Sequence, residues 1–194
     1  MMQAGLEGGF SDRARQSAVA FRAALDVLAR PGQVRGLTGV EPPGGLSVAA
    51  AALLLTLVDA ETPLWLPARL RAGAVAAWLR FHTNAPQVAG RGPAMFAVGR
   101  WEELLPLEDW PAGEPAYPDR AATLIVEVAA LDGGPVLALT GPGIDGHARL
   151  APVLPEGAAE ALRVNAARFP LGLDFFFTAG RQVAGLPRST RIGG

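Results

Sequence analysis

The segment Ala122-Thr-Leu-Ile-Val-Glu-Val-Ala-Ala-Leu131 carries the strongest β-strand signal in this chain. It is rich in leucine, isoleucine and valine, residues that suit a pleated and buried surface. Gly133-Gly134 follows it, and Val136 to Thr140 forms a second apolar run. Because two such runs joined by a tight Gly-Gly turn are typical of a β-hairpin, we expect these two strands to pair with each other.

A second pair of strands is predicted near the C-terminus. Leu173 to Thr178 contains three consecutive phenylalanines, so it should be a strand covered on both faces. Ala179-Gly180 then turns the chain into Gln182 to Leu186. A helix over Pro155 to Arg168 lies between the two predicted hairpins, with Ala158, Leu162 and Phe169 directed inward.

Two helices are predicted in the first third of the chain. Ser11 is the expected N-cap of the first, and its apolar stripe should face the core. Ser47 is the expected N-cap of the second, which is apolar on every face to about Val58 and should be buried on more than one side. The stripe of the first helix comprises Ala14, Ala18, Phe21, Leu25 and Leu28.

The alternation of these elements predicts an α/β fold, arranged as three α/β/α layers around a mixed sheet. Residues 1–10 are rich in glycine and are expected to be flexible. Residues 11–194 are expected to form a single domain, since the chain has 194 residues and no evident linker. Residues 107–119, rich in proline and acid, are expected to be a surface loop.

Composition excludes several classes of function. The formal net charge is -1, so no basic excess favours nucleic acid or an anionic membrane. The longest apolar run, Val48 to Val58, is too short to span a bilayer, and no secretory signal is evident, so we expect a cytoplasmic protein. The chain has no cysteine, which excludes thiolate metal sites and cysteine-ligated iron–sulfur clusters. It has no lysine either, which excludes a pyridoxal phosphate (PLP) Schiff base, and with only two histidines a metal site is not expected.

The octet Leu79-Arg-Phe-His-Thr-Asn-Ala-Pro86 concentrates the polar chemistry of the chain. It follows a helix predicted from about Arg69, and it is called here the 79–86 octet. The octet contains a guanidinium, a titratable imidazole, a hydroxyl and an amide, which together are suited to binding an anion; these groups belong to Arg80, His82, Thr83 and Asn84. The alternative is an ordinary helix C-terminus, in which the basic residues complement the dipole and Asn84 is the cap.

Three other places carry candidate residues. Asp59 follows a buried helix and needs a partner, for which Arg80 is a candidate; the alternative is a solvated loop residue. Arg188 lies in a second cationic cluster, Pro187 to Arg191, which could also be a ragged C-terminus. Gly141-Pro142-Gly143 follows a predicted strand, as a phosphate-binding loop does. Its proline lacks one of the backbone N–H donors that such a loop uses, so an ordinary turn is the simpler interpretation.

Several of these segments together resemble the PhnH family, a subunit of the bacterial carbon–phosphorus lyase system for phosphonate use. The resemblance runs from about Phe21 to Thr190, and the 79–86 octet with the block from Asp59 to Trp65 is its most specific part. The segments are Phe21-Arg22 with Leu25 and Pro31-Gly32, Leu54 to Leu57 with Asp59, Thr62-Pro63 with Trp65-Leu66, Leu79 to Pro86, Ala122 to Ile125, Leu139 to Gly141 with Gly143-Ile144, Phe169 to Gly172 with Asp174, and Pro187-Arg188.

The resemblance implies a fold similar to PLP-dependent transferases without the cofactor. It also implies a homodimer that joins the PhnG, PhnI and PhnJ subunits. That machinery, helped by PhnL, replaces the adenine of MgATP with an alkylphosphonate and yields a ribose 1-phosphonate 5-triphosphate, before a radical step on PhnJ cleaves the carbon–phosphorus bond. The family supplies no catalytic residues for this subunit.

Three functional hypotheses follow. In the first, the chain is an accessory subunit of the phosphonate-ribosylating enzyme and is inactive in isolation. His82, Arg80 and Asp59 are then catalytic candidates, and Arg80, Thr83, Asn84 and Arg188 are substrate-binding candidates. In the second, the chain is a non-catalytic dimerising scaffold that only organises partner subunits, and the octet is an internal hydrogen-bond lattice. The third is an independent small-molecule enzyme.

Overall fold

A computed structural model describes residues 6–193. Helices and strands alternate along the first half of the chain, and strands dominate the second half. The helices are α1 (Arg13–Ala29), α2 (Val48–Leu57), α3 (Ala68–Arg71), α4 (Ala74–Thr83), α5 (Trp101–Leu104) and α6 (Ala158–Ala167), with a 3-10 turn at Leu107–Asp109. The strands are β1 (Val34–Gly36), β2 (Leu64–Trp65), β3 (Gln87–Val88), β4 (Phe96–Arg100), β5 (Ala112–Glu114), β6 (Tyr117–Ala121), β7 (Thr123–Glu127), β8 (Leu137–Thr140), β9 (Ala148–Leu150), β10 (Asp174–Ala179), β11 (Gln182–Leu186) and β12 (Arg191–Gly193).

A mixed seven-stranded sheet organises the described chain, as the sequence predicted. Its order is β1-β11-β10-β7-β4-β2-β3. Strands β10, β7, β4, β2 and β3 are parallel, whereas β11 runs antiparallel to both of its neighbours. A three-stranded sheet of order β12-β8-β9 and the hairpin β5-β6 complete the strands. The α/β class is therefore confirmed.

Both faces of the large sheet carry apolar packing. In β10, Phe176 packs with α1, α2 and α4, while Phe175 and Phe177 pack with α5, α6 and the small sheet. This alternation follows from the period of two along a strand. It explains the three consecutive phenylalanines, and it confirms the prediction that this strand is covered on both sides.

The predicted hairpin over residues 122–140 is wrong. Strand β7 pairs in parallel with β4 and β10, and β8 belongs to the small sheet. Gly133-Gly134 instead brings the backbone against Pro152, where a Cβ on Gly134 would collide with the proline carbonyl. The second predicted hairpin, β10–β11, is confirmed.

The predicted inner face of α1 is wrong except at Leu28, which packs against the core. The helix buries Ala20, Ala24 and Val27, while Phe21 and Leu25 are 46% and 52% exposed. Small residues allow the helix to approach the sheet closely, so they form the packed face although the larger side chains lie elsewhere. The side chain of Asp12, not Ser11, caps the helix by accepting a hydrogen bond from the amide of Arg15 at 3.1 Å.

The remaining predictions of local structure were confirmed only in part. Ser47 caps α2, and Ala49 to Leu55 are all buried, as predicted. The helix predicted from Arg69 is broken at Ala72-Gly73 into α3 and α4, and Phe169, expected inside, is 60% exposed. The expected loop at 107–119 contains β5 and the start of β6.

Residues 1–5, half of the segment expected to be flexible, lie outside the described residues. Residues 6–8 accept three hydrogen bonds through their backbone carbonyls: two from the rings of Trp78 and His82 on α4, and one from the amide of Glu41. No helix within residues 6–193 is long and apolar enough to cross a membrane.

Candidate functional site

The 79–86 octet is the C-terminal end of α4. Asn84 is the C-cap in the left-handed conformation, with φ 57°, and its amide bonds to the carbonyl of Arg80 at 2.9 Å. The Thr83 hydroxyl donates to the carbonyl of Leu79 at 2.7 Å and accepts from the amide of Ala85 at 3.1 Å. These contacts are those of a helix end, where side chains and left-handed residues satisfy the last carbonyls.

His82 is covered by the segment that precedes α1. Its Nε2 lies 2.8 Å from the carbonyl oxygen of Leu6, so the ring carries its proton on this nitrogen and donates it. The ring also packs edge-on against Trp78, with 4.8 Å between centroids. A Cβ on Gly9 would collide with the imidazole, so glycine is needed at that position. No signal in the sequence linked residues 6–9 to the octet.

Asp59 and Arg80 do not pair. Asp59 accepts hydrogen bonds from the amide of Glu61 at 2.9 Å and from the hydroxyl of Thr62 at 3.1 Å, which makes it a turn residue. Arg80 is exposed, and its guanidinium contacts the Gln87 side chain at 3.4 Å. The pairing with Arg80 is therefore wrong, and the alternative interpretation of Asp59 as an exposed loop residue is confirmed.

Arg188 lies apart from the octet and holds several chain segments together. Its Nη1 donates to the carbonyls of Pro118 at 2.6 Å and Gly172 at 3.1 Å, and its Nη2 lies 3.2 Å from the Asp174 carboxylate. The backbone amide of Arg188 also donates to Asp174 at 2.8 Å. The guanidinium is thus occupied by groups within the fold.

The structure does not bring the candidate residues together. Arg80, His82, Thr83 and Asn84 share one helix end, and within residues 6–193 neither Asp59 nor Arg188 forms a hydrogen bond or ion pair with their side chains. The better-formed cavities in residues 6–193 are lined by other residues.

A charged network occupies the carboxyl ends of the parallel strands. Strand β7 ends at Glu127 and β4 ends at Arg100, directly opposite in register. Arg69, which follows β2, donates through Nε to Glu103 at 2.8 Å and lies 3.5 Å from Glu127 through Nη2. Since the chain leaves β2 toward β3 and returns to β4 on the other side, these loops meet at the topological switch point, where open α/β sheets bind ligands.

Most groups in this network are already paired. Burial acts to raise the pKa of Glu103, but hydrogen bonds from the Arg69 side chain and the Arg100 amide, with the charges of both arginines, outweigh it and hold the pKa below its ordinary value. Glu127 also accepts from the Ser47 amide at 2.6 Å, and Arg69 donates to the carbonyl of Gly45 at 2.8 Å. The network therefore ties the loop before α2 to the sheet edge.

A cavity of about 480 Å³ adjoins this network and is lined by Arg100, Glu102 and Glu127. Because carboxylates outnumber cations there, it does not favour an anionic ligand. Within residues 6–193, no group of three or more His, Cys, Asp or Glu side chains is placed to hold a metal ion. Sequence reasoning missed the network, although a charged residue that ends an apolar strand, as Arg100 and Glu127 do, was a usable signal.

Comparison with known proteins identifies the family. The PhnH family of bacterial phosphonate metabolism proteins matches residues 8–193. The chain is 37% identical over 188 residues to a Rhizobium meliloti (strain 1021) protein described as alpha-D-ribose 1-methylphosphonate 5-triphosphate synthase subunit PhnH, covering 95% of this chain and 94% of the relative. It is 32% identical over 183 residues to a Stutzerimonas stutzeri protein described as putative C-P lyase subunit protein HtxG, covering 93% and 87%. The chain therefore belongs to the PhnH family of bacterial phosphonate metabolism proteins.

Proposed function

We propose that this chain is an accessory subunit of an alpha-D-ribose 1-methylphosphonate 5-triphosphate synthase in the carbon–phosphorus lyase system. It would be needed to form alpha-D-ribose 1-alkylphosphonate 5-triphosphate from MgATP and an alkylphosphonate, with release of adenine. The observation that carries this proposal is the 37% identity to the Rhizobium meliloti subunit along nearly the whole of both chains. The isolated chain is expected to be inactive.

Displacement of adenine at the ribose anomeric carbon sets clear chemical requirements. Cations must hold the phosphonate and the triphosphate, and a donor must protonate the leaving base. A residue-level form of the hypothesis, which we do not adopt, has Arg80 and Arg188 supply the cations and His82 the donor. This form requires His82 to leave the carbonyl of Leu6 and Arg188 to leave three protein groups.

A second candidate is a non-catalytic scaffold that dimerises and organises partner subunits. The observation in its favour is the apolar stripe of α1, defined by Ala14, Ala18, Phe21 and Leu25, which points to solvent in the isolated chain. An exposed apolar stripe of this kind is typical of a protein contact. We propose a homodimer that joins PhnG, PhnI and PhnJ in the cytoplasm.

We also propose that the fold is a three-layer α/β/α arrangement similar to PLP-dependent transferases, without the cofactor. Apolar packing on both faces of the large sheet supports the layers. The absence of lysine supports the loss of the cofactor, since no Schiff base can form on this chain. Structural superposition on a PLP-dependent transferase tests the first part, and a spectroscopic titration with pyridoxal phosphate tests the second.

The test of function is adenine release from MgATP and methylphosphonate by a reconstituted synthase, with and without this chain. Adenine release that is lost on omission and restored on adding the purified chain supports a required subunit. Equal release without the chain, in a mixture shown by size-exclusion chromatography to lack it, contradicts the proposal.

The α1 stripe has its own test. The double variant Phe21→Ser, Leu25→Ser should remain folded, because both side chains are about half exposed, but should lose dimerisation or co-elution with the partner subunits. Val136→Ser, which changes a side chain 58% exposed elsewhere, is the matched control. Intact dimers and complexes in the double variant would exclude the stripe as the contact.

A further inference from the structure

The largest cavity described, about 670 Å³, lies between the second half of α6 and strand β12, and we call it the α6–β12 cavity. It joins two segments singled out in the sequence, Gly141-Pro142 after β8 and the cationic cluster at 187–191. Its lining includes Arg163, Ala166 and Phe169 on the helix side and Ser189, Arg191 and Ile192 on the strand side. It shares no lining residue with the charged network at the sheet edge.

Hydrogen-bond donors in the α6–β12 cavity are left over by the fold. The Nη1 of Arg163 contacts Glu160 at 2.9 Å and Nη2 reaches the carbonyl of Gly193 at 3.4 Å, but Nε is buried and has no partner among residues 6–193. The Arg191 side chain makes no hydrogen bond or ion pair within the same part of the chain. Since this Nε has almost no accessible surface, it does not face the cavity, and among residues 6–193 the free cationic donor there is the Arg191 guanidinium.

The lining has an excess of positive charge. Arg163 and Arg191 line the cavity, and none of its lining residues within 6–193 is acidic. Glu160 offsets part of the Arg163 charge, but Arg191 has no such partner among the described residues. Planar guanidiniums are suited to binding oxyanions through several hydrogen bonds at once.

The remaining wall is apolar. Ala166, Phe169 and Ile192 line it, and the Phe169 ring, expected in the core from the sequence, stands 60% exposed at this position. An apolar substituent on the ligand would gain by covering this surface. The combination of cations and apolar wall fits an organic anion better than an inorganic one.

We propose that the α6–β12 cavity binds an organic phosphorus oxyanion, a phosphonate or a phosphate monoester. Arg163, Arg191 and the Ser189 hydroxyl provide donors on three residues, which matches the three terminal oxygens of such a group, whereas a carboxylate has two. The organic substituent lies against Phe169. In naming phosphonates this inference rests on the proposed function, but it concerns binding by the isolated chain.

The experiment is a titration of the isolated chain with phenylphosphonate, phenyl phosphate, inorganic phosphate and benzoate. Isothermal calorimetry gives the affinities, and the Nε–Hε resonance of Arg163, assigned with the variant Arg163→Met, reports the site by NMR. We expect the two phenyl phosphorus anions to bind at least tenfold more tightly than phosphate or benzoate and to shift this resonance. Tighter binding of phenylphosphonate favours the phosphonate class, and tighter binding of phenyl phosphate favours the phosphate monoester class.

Two variants and one control separate site binding from general charge effects. Arg163→Met and Arg191→Met should each weaken phenylphosphonate binding at least tenfold, the scale of a lost charge-assisted hydrogen bond. Arg168→Met removes the same charge from an exposed residue that does not line the cavity and should leave binding unchanged. The proposal is overturned if phenylphosphonate does not bind, if benzoate or phosphate binds equally well, or if the three variants behave alike.

These results are independent of the synthase assay. If phenylphosphonate binds but the chain has no effect on adenine release, the proposed function is overturned and the proposed binding site stands. If the chain restores adenine release but does not bind phenylphosphonate, the proposed binding site is overturned and the proposed function stands.

Discussion

The 79–86 octet and the α6–β12 cavity differ in how their polar groups are used. In the octet, the His82 ring and the Thr83 hydroxyl donate to backbone carbonyls of the same chain. In the cavity, the Arg191 guanidinium makes no hydrogen bond or ion pair within residues 6–193. A dense polar motif in the sequence can therefore be a helix end, while spare donors lie where two distant segments meet.

The guanidinium of Arg188 contacts two backbone carbonyls and one carboxylate within the fold. Its variant Arg188→Met should lower the free energy of unfolding by about 3 kcal/mol, because it leaves the carbonyls of Pro118 and Gly172 and the Asp174 carboxylate without their partner. Urea denaturation measures this change. Arg22→Met, at an exposed position, is the control. A change below 0.5 kcal/mol, the ordinary scale for a surface substitution, would show that these contacts do little for the fold.

The contribution of the charged network to stability can be tested by the pH dependence of the Glu103 interactions. Since its pKa is lowered in the folded chain, Glu103 contributes stability above its ordinary value of 4.5, and the contribution is lost as pH falls through the folded pKa. Glu103→Gln should lower stability by about 1.5 kcal/mol at pH 7. The difference from the wild type should shrink below pH 4.5, where the wild-type carboxylate takes up its proton. A difference that is constant down to acid pH would contradict this assignment.

Asn84 tests whether the octet serves as a helix end. Asn84→Ala should cost about 1 kcal/mol, since alanine is unfavourable at φ 57°, whereas Asn84→Gly should be neutral or stabilising. Thermal unfolding of the two variants distinguishes these cases. If glycine is as costly as alanine, the amide side chain of Asn84 has a role beyond its backbone conformation.

Arg163 is the counterpart of Arg188 and should show the smallest effect on stability. Arg163→Met loses an exposed ion pair with Glu160 and one long contact to Gly193, so its unfolding free energy should change by less than about 0.5 kcal/mol. Urea denaturation beside Arg188→Met makes the comparison direct. A loss as large as that of Arg188→Met would assign Arg163 to the fold rather than to a ligand.

The sequence predicted the parts of the fold that depend on local pattern. Ser47 caps α2, and Phe175 to Phe177 form a strand buried on both faces, because capping and apolar runs act over a few residues. The pairing of β7 was missed because a strand covered on both faces can take parallel partners that no adjacent turn reveals. The packed face of α1 was missed because Ala20 and Ala24, small residues, lie against the sheet in place of Phe21.

The candidate site was less predictable for a physical reason. The sequence shows which hydrogen-bond donors and acceptors the octet contains. It does not show their partners, because some of these, such as the carbonyl of Leu6 for His82, lie far away in sequence. Arg163 and Arg191 likewise meet only because α6 packs beside β12. Sequence spacing gives the donors, and the tertiary fold decides which of them remain free.

The central claim is that His82 and Thr83 of the octet serve the fold, so that this subunit does not act through His82. Adenine release by the reconstituted synthase carrying His82→Ala tests it most directly, once size-exclusion chromatography has shown that the variant assembles. The account predicts adenine release within about twofold of the wild type, while omission of the whole chain abolishes it. A loss of roughly a hundredfold or more in an assembled complex, the scale of a missing general acid, would contradict it and make His82 catalytic.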